Sequence, residues 1–281
     1  MSDQLVNTGW LAQHLDDPAV RIIDATWFMP SSGRNARAEH EAAHIPAAVF
    51  FDIDEISDKA TTLPHMLPDP ASFASAVRKL GLGGNHRIVA YDNNGMLASA
   101  RAWWMLRAMG HNNVAVLDGG LAKWQREGRP VENKTVTPQP SHFHAHLDYS
   151  LVRNFEQVKA NIGTHEAQVI DARSAGRFAG TEAEPRPGLK SGHIPGSLNI
   201  HYSDVLTPEG TLRSAEQLKK LFAEHHVNLH QPVWTSCGSG VTAAIVLLAL
   251  DTAGAGQTAL YDGSWAEWGS REGAPVDRGP A

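Results

Sequence analysis

Residues 235–250 read TSCGSGVTAAIVLLAL and hold the single cysteine of a 281-residue chain. Cys237 is followed by Gly238, Ser239 and Gly240, and then by a run from Val241 to Leu250 that carries no charge. Glycine reaches positive φ without steric cost, so this spacing lets the backbone curl and turn several N–H groups toward one point. A helix beginning at about Val241 adds the partial positive charge of its unpaired donors. Both features favour thiolate over thiol at Cys237, and a thiolate is a nucleophile that needs no adjacent histidine. The competing reading is a small buried cysteine that only packs; two glycines flanking a serine are poor packing material and argue against it. The candidate catalytic groups are therefore Cys237 and Ser239. Gly238, Ser239, Gly240, Val241 and Thr242 form the candidate binding loop for an anionic substrate, with the Ser239 and Thr242 hydroxyls available to handle a proton.

The elements that must position this loop are legible because the chain repeats itself. VRIIDATW precedes AAHIPAAVFFDID, and later QVIDARSA precedes SGHIPGSLNIHYSD. HRIVAYDNNG matches QPVWTSCGSG, each leading into an apolar stretch, and LDGGLAKW matches YDGSWAEW. The matched blocks keep their order and nearly constant spacing, which indicates a duplicated domain. The expected boundaries are 1–135 for a first, non-catalytic domain, 136–150 for a Pro-containing linker, and 151–281 for a second, catalytic domain. In the first copy, Asp92-Asn93-Asn94-Gly95 stands where the second has Cys237 and its loop.

Within each copy, short β-branched runs alternate with helical stretches. SARAWWMLRAMG is closed by Gly110 and VTAAIVLLALDTAG by Gly254. Strands separated by helices predict an α/β fold, in each domain a parallel sheet with helices on both faces. Ligands bind such sheets beyond the carboxyl ends of the strands. Cys237 lies at one of those ends.

Composition narrows the function classes. The formal charge of −6 gives no reason to expect a nucleic-acid partner. One cysteine excludes an internal disulfide and suits a reducing compartment. The N-terminal residues lack the basic start and apolar core of a signal peptide, and the longest apolar stretch is about half of what spans a bilayer. A cytoplasmic protein without a membrane partner is expected. His142, His144 and His146 alternate and would share a face on a strand. They have no cysteine or carboxylate at ligand spacing and read as structural or solvated, so no metal is expected.

The doubled HIP block, the strand–cysteine-loop–helix unit and the closing YDGSWAEW resemble the two-domain rhodanese-like sulfurtransferases over nearly the whole chain. CGSGVTA is similar to the loop of members that act on 3-mercaptopyruvate. Thiosulfate-preferring members carry basic residues where this chain has Gly238 and Ser239. The resemblance of DARSAGRFAGTEAEPRPGLKSGHIPG to the family's substrate segment implies that Arg177 and Arg186 bind the carboxylate and carbonyl of a small 2-oxo thiol donor. It further implies a persulfide on Cys237, a thiol acceptor such as thioredoxin or a small thiol, or cyanide, and no cofactor. Family members use the first-domain HIP histidine with an acidic residue upstream as a proton relay. Here that position is Asn35, and His193 repeats the motif of His44, so His44 reads as structural. A phosphatase on this fold needs arginine six residues after the cysteine, where Ala243 stands. Thiosulfate sulfurtransferase and a non-catalytic docking module stay open as alternatives.

Overall fold

In a computed structural model describing residues 4–280, the β-branched runs form the central strands of two sheets. The first copy contains β1 (Leu5–Val6), α1 (Thr8–Gln13), β2 (Val20–Asp24), α2 (Ala36–Ala42), β3 (Val49–Phe50), α3 (Pro70–Lys79), β4 (Arg87–Tyr91), α4 (Ser99–Ala108), β5 (Val114–Leu117) and α5 (Gly120–Arg126). The second contains β6 (Val152–Arg153), α6 (Phe155–Thr164), β7 (Gln168–Asp171), α7 (Ala175–Ala179), β8 (Leu198–Asn199), α8 (Ala215–Glu224), β9 (Val233–Ser236), α9 (Ala243–Ala253), β10 (Thr258–Tyr261) and α10 (Ser264–Trp268). The sheet orders are β1-β5-β4-β2-β3 and β6-β10-β9-β7-β8, and every pairing is parallel. The same topology twice over is what a duplicated domain predicts.

Both faces of each sheet are buried, so the strands read as continuous apolar runs. In the first unit, Ile22, Val89, Ala115 and Leu117 pack with Leu11 of α1 and Trp124 of α5. The alternate residues Ile23, Ile88, Ala90 and Val116 are also buried, on the side that carries α4. In the second unit, Val169, Trp234, Ala259 and Tyr261 pack with Phe155 and Val158 of α6 and Trp265 and Trp268 of α10. Helix α9 lies between the strands β9 and β10 on one side and α8 with the 202–205 turn on the other. Its residues Ala243 to Leu250 are all buried, as a helix apolar on every side must be. Gly254 closes it in the left-handed conformation at φ +87.

One detail differs from expectation. Helix α9 starts at Ala243 rather than about Val241, because Val241 still belongs to the bend that follows Gly240. The expected linker forms no helix or strand and is packed down; by contacts the chain divides into one unit of residues 1–58, 67–148 and 208–212 and another of 59–66, 149–207 and 213–281. Phe143 is fully buried against Phe73 and His111, and its carbonyl accepts from the Arg78 guanidinium. Burying one aromatic ring in this way is worth roughly 1.5–3 kcal/mol and outweighs the turn-rich composition. His142, His144 and His146 accordingly lie outside any strand and share no strand face.

The HIP histidines do the same job in both copies. His44 and Glu132 exchange backbone hydrogen bonds of 2.9 Å, and His193 does the same with Asp277 at 2.9 and 3.0 Å. Nδ1 of His44 sits 2.7 Å from the His40 carbonyl oxygen, and Nδ1 of His193 sits 2.9 Å from that of Phe178. Each ring stacks on the side chain whose carbonyl it meets. Asn35 caps α2, its side chain accepting from the Ala38 N–H.

No described helix is long and apolar enough to cross a membrane.

Candidate active site

Strand β9 delivers the chain to Cys237, and the start of α10 fixes the loop from below. The carbonyls of Cys237 and Gly238 accept from the N–H groups of Trp265 and Ala266, both at 2.9 Å. The Cys237 N–H donates to Ser264 Oγ at 3.2 Å, and that hydroxyl donates to the Tyr261 carbonyl at 2.8 Å. Ser264 holds this position with a left-handed backbone, φ +49, which is costly for a residue with a Cβ. Gly240 turns the chain at φ +75. Cys237, Ser239, Gly240 and Val241 are buried, while Gly238 and Thr242 are half-buried. Thr242 stands at the N-cap of α9 but makes no capping hydrogen bond with its side chain.

The first copy reveals what such a loop holds. Asp92 follows β4 as Cys237 follows β9, and its carbonyl accepts from Leu121 as that of Cys237 accepts from Trp265. The buried Asp92 carboxylate takes four backbone donors, from Asn94 and Met96 on one oxygen and Ala98 and Ser99 on the other, at 2.9–3.2 Å. A loop of this build is an anion cradle, and the first copy fills it with its own side chain. Burial raises the Asp92 carboxyl above its ordinary value, and these backbone donors oppose the rise. Replacing the carboxylate strands buried N–H groups, so Asp92→Ala is expected to cost roughly 3 kcal/mol or more of stability. Urea unfolding followed by tryptophan fluorescence measures it; a midpoint equal to wild type refutes the cradle reading.

Across the second sheet, β7 pairs with β9, and Asp171 lies beside Ser236. The segment leaving β7 therefore runs past the cysteine loop. It brings the two arginines expected from the resemblance to one place. A Cβ built on Gly238 would lie 3.0 Å from Arg177 Nη2 and 3.8 Å from Arg186 Nη1. A side chain at 238 would therefore press on the end of Arg177, whereas Arg186 would stand at ordinary contact distance. Fork-shaped donors of this kind suit a planar carboxylate.

Residues not singled out in the sequence support this arrangement. Glu184 bonds Arg177 through Nε at 3.2 Å and Nη2 at 2.6 Å, and Arg173 through Nη1 at 2.7 Å. Arg173 is bidentate to Asp171, donates to the Gly192 carbonyl, and lies 4.1 Å over the Trp265 ring. Burial alone would lower the Arg173 guanidinium, but the carboxylates of Asp171 and Glu184 raise it above its ordinary value. The one signal in the sequence was an acidic residue two positions before Arg186. Ser264 was equally invisible, because its partner is 27 residues away. Among the described residues, no group of three or more His, Cys, Asp or Glu could hold a metal ion.

The Rhodanese-like domain profile matches residues 7–127 and 154–271, and the chain belongs to the family of proteins built from two such domains. It is 43% identical over 270 residues to the 3-mercaptopyruvate sulfurtransferase of Homo sapiens, covering 94% of this chain and 91% of that one. It is 42% identical over 271 residues to the thiosulfate sulfurtransferase of Cricetulus griseus, again covering 94% and 91%. The crystal structure of SseA, a 3-mercaptopyruvate sulfotransferase from Escherichia coli, matches with a TM-score of 0.86 at 42% identity, covering 93% of this chain and 98% of that one.

Proposed function

We propose that this protein is a 3-mercaptopyruvate sulfurtransferase, with Cys237 as the sulfur carrier. Overall identity to relatives of the two donor specificities is nearly equal, so the choice of donor rests on the site. The observation that carries it is the convergence of Arg177 and Arg186 on a neutral Gly238-Ser239 loop. This arrangement gives a carboxylate two forked partners and adds no cation directly after the cysteine.

The Cys237 thiolate attacks the sulfur of the substrate thiol. The new S–S bond forms as the C–S bond to C3 breaks, and the electron pair leaves on the pyruvate enolate. The proton lost by the sulfur is equivalent to the one gained at C3, so thiolate and substrate yield a persulfide anion and pyruvate. Ser239, buried two residues from Cys237, is the hydroxyl assigned here to relay that proton. The backbone donors of the loop stabilise the persulfide anion as their counterparts hold the Asp92 carboxylate. An external thiol, such as thioredoxin or a small thiol, or cyanide then takes the outer sulfur and regenerates the thiolate. With no second cysteine in the chain, discharge must be intermolecular. Such chemistry fits a reducing compartment such as the cytoplasm.

The test is donor preference. Wild-type protein with cyanide as acceptor is expected to form thiocyanate faster from 3-mercaptopyruvate than from thiosulfate. Gly238→Arg with Ser239→Lys is expected to reverse that order, since two cations within about 5 Å of a dianion contribute a few kcal/mol at an effective dielectric near 20. A side chain at 238 also pushes against Arg177, so Gly238→Ala serves as the control for displacement alone. A wild type that prefers thiosulfate contradicts the proposal.

A further inference from the structure

The second copy contains a chain of alternating charges that, among the described residues, does not recur at the matching strand end of the first copy. It runs from Asp171 to Arg173, from Arg173 to Glu184, and from Glu184 to Arg177, whose guanidinium ends over Gly238. The side chains of Asp171, Arg173 and Glu184 are at most 3% exposed, whereas that of Arg177 is 19% exposed. In the first copy, the counterpart of Asp171 is Asp24, which bonds to Thr26, His40 and Tyr91 and to no arginine. The charge chain thus belongs to the copy that carries the cysteine. Fold alone does not require it.

Its geometry determines what Arg177 can offer. Glu184 occupies the Nε–Nη2 edge of the guanidinium, and Nη2 is also the atom nearest to Gly238. The donors left for a ligand are those of the Nη1–Nη2 end, held toward the loop. Two acids and two arginines sum to zero, so Arg177 brings directional donors to the loop without net positive charge. A monocarboxylate needs a fork of donors; a compact dianion needs net charge.

We propose that Glu184 is a positioning and specificity-determining residue, which fixes the Arg177 fork over the loop and cancels its charge so that a singly charged 2-oxo acid is selected over a dianionic sulfur donor. This inference rests on the 3-mercaptopyruvate reading above. Glu184→Gln keeps the size of the side chain and removes its charge. It is expected to raise the KM for 3-mercaptopyruvate about fivefold and to shift the ratio of kcat/KM for 3-mercaptopyruvate to that for thiosulfate toward thiosulfate by about tenfold. A residue that merely supported the fold would lower both efficiencies together and leave the ratio alone. Glu184→Asp keeps the charge but cannot reach both arginines. It is expected to raise the KM by about fivefold while holding the ratio within about twofold. With an active wild type, an unchanged ratio in the Gln variant, or an unchanged KM in the Asp variant should the Gln variant not fold, overturns this inference alone. A wild type that transfers no sulfur from 3-mercaptopyruvate overturns the underlying function as well.

Discussion

Cys237→Ser is expected to leave a folded protein that transfers no measurable sulfur. The backbone bonds that hold the loop run through the N–H and C=O of residue 237 and the C=O of 238, so a near-isosteric serine preserves them. A serine hydroxyl is not ionised near neutral pH and cannot carry a persulfide. The chain has no second thiol to take over. Two measurements check the result: thiocyanate formation from 3-mercaptopyruvate and cyanide, and the intact mass after exposure to the donor alone. Wild type should gain the mass of one sulfur atom and the variant none. Turnover above background in a clean variant refutes Cys237 as the carrier, and an unmodified wild type would revive the non-catalytic docking module.

Arg177→Ala and Arg186→Ala should each raise the KM for 3-mercaptopyruvate more than tenfold, because a charge-assisted hydrogen bond contributes roughly 1.5–3 kcal/mol. The two substitutions differ in their surroundings. Removing Arg177 also leaves the buried Glu184 to pair with Arg173, so some loss of stability should accompany the loss of affinity. Thermal melts beside the kinetics separate the two effects. If neither variant alters the KM for the oxo acid, its carboxylate lies elsewhere, and the convergence over Gly238 has another purpose.

The duplicated architecture, the alternation of strand and helix and the glycine-flanked cysteine loop could all be read from local features. A run such as RIVAY or VWTS buries both faces of a strand whatever its partner. Gly238 and Gly240 permit a tight curl on their own, and the single cysteine needs no alignment to be noticed. Strands β1, β3, β6 and β8 escaped because two residues carry no period, and because an edge strand is defined by its neighbour in the sheet. The connector shows the same division: TPQPSHFHAH has the composition of a loop and forms no helix or strand, while the burial of Phe143 and the backbone bonds of His142, His146 and Asp148 that hold it in place come from residues remote in the chain.

The site itself divides in the same way. Arg177 and Arg186 came from resemblance to a family; spacing alone does not join them to a cysteine 60 and 51 residues further on. Their meeting depends on the parallel pairing that lays Asp171 beside Ser236, with a glycine at 238 that leaves room for the end of Arg177. The same pairing creates the ion chain through Glu184, and the crossover into α10 sets Ser264 under Cys237. Hydrophobic period and glycine placement act between residues a few positions apart, so the sequence displays them directly. Charge pairing and backbone satisfaction act across a few ångströms between segments remote in the chain, and those distances exist only once the crossovers have closed and the strand register is set.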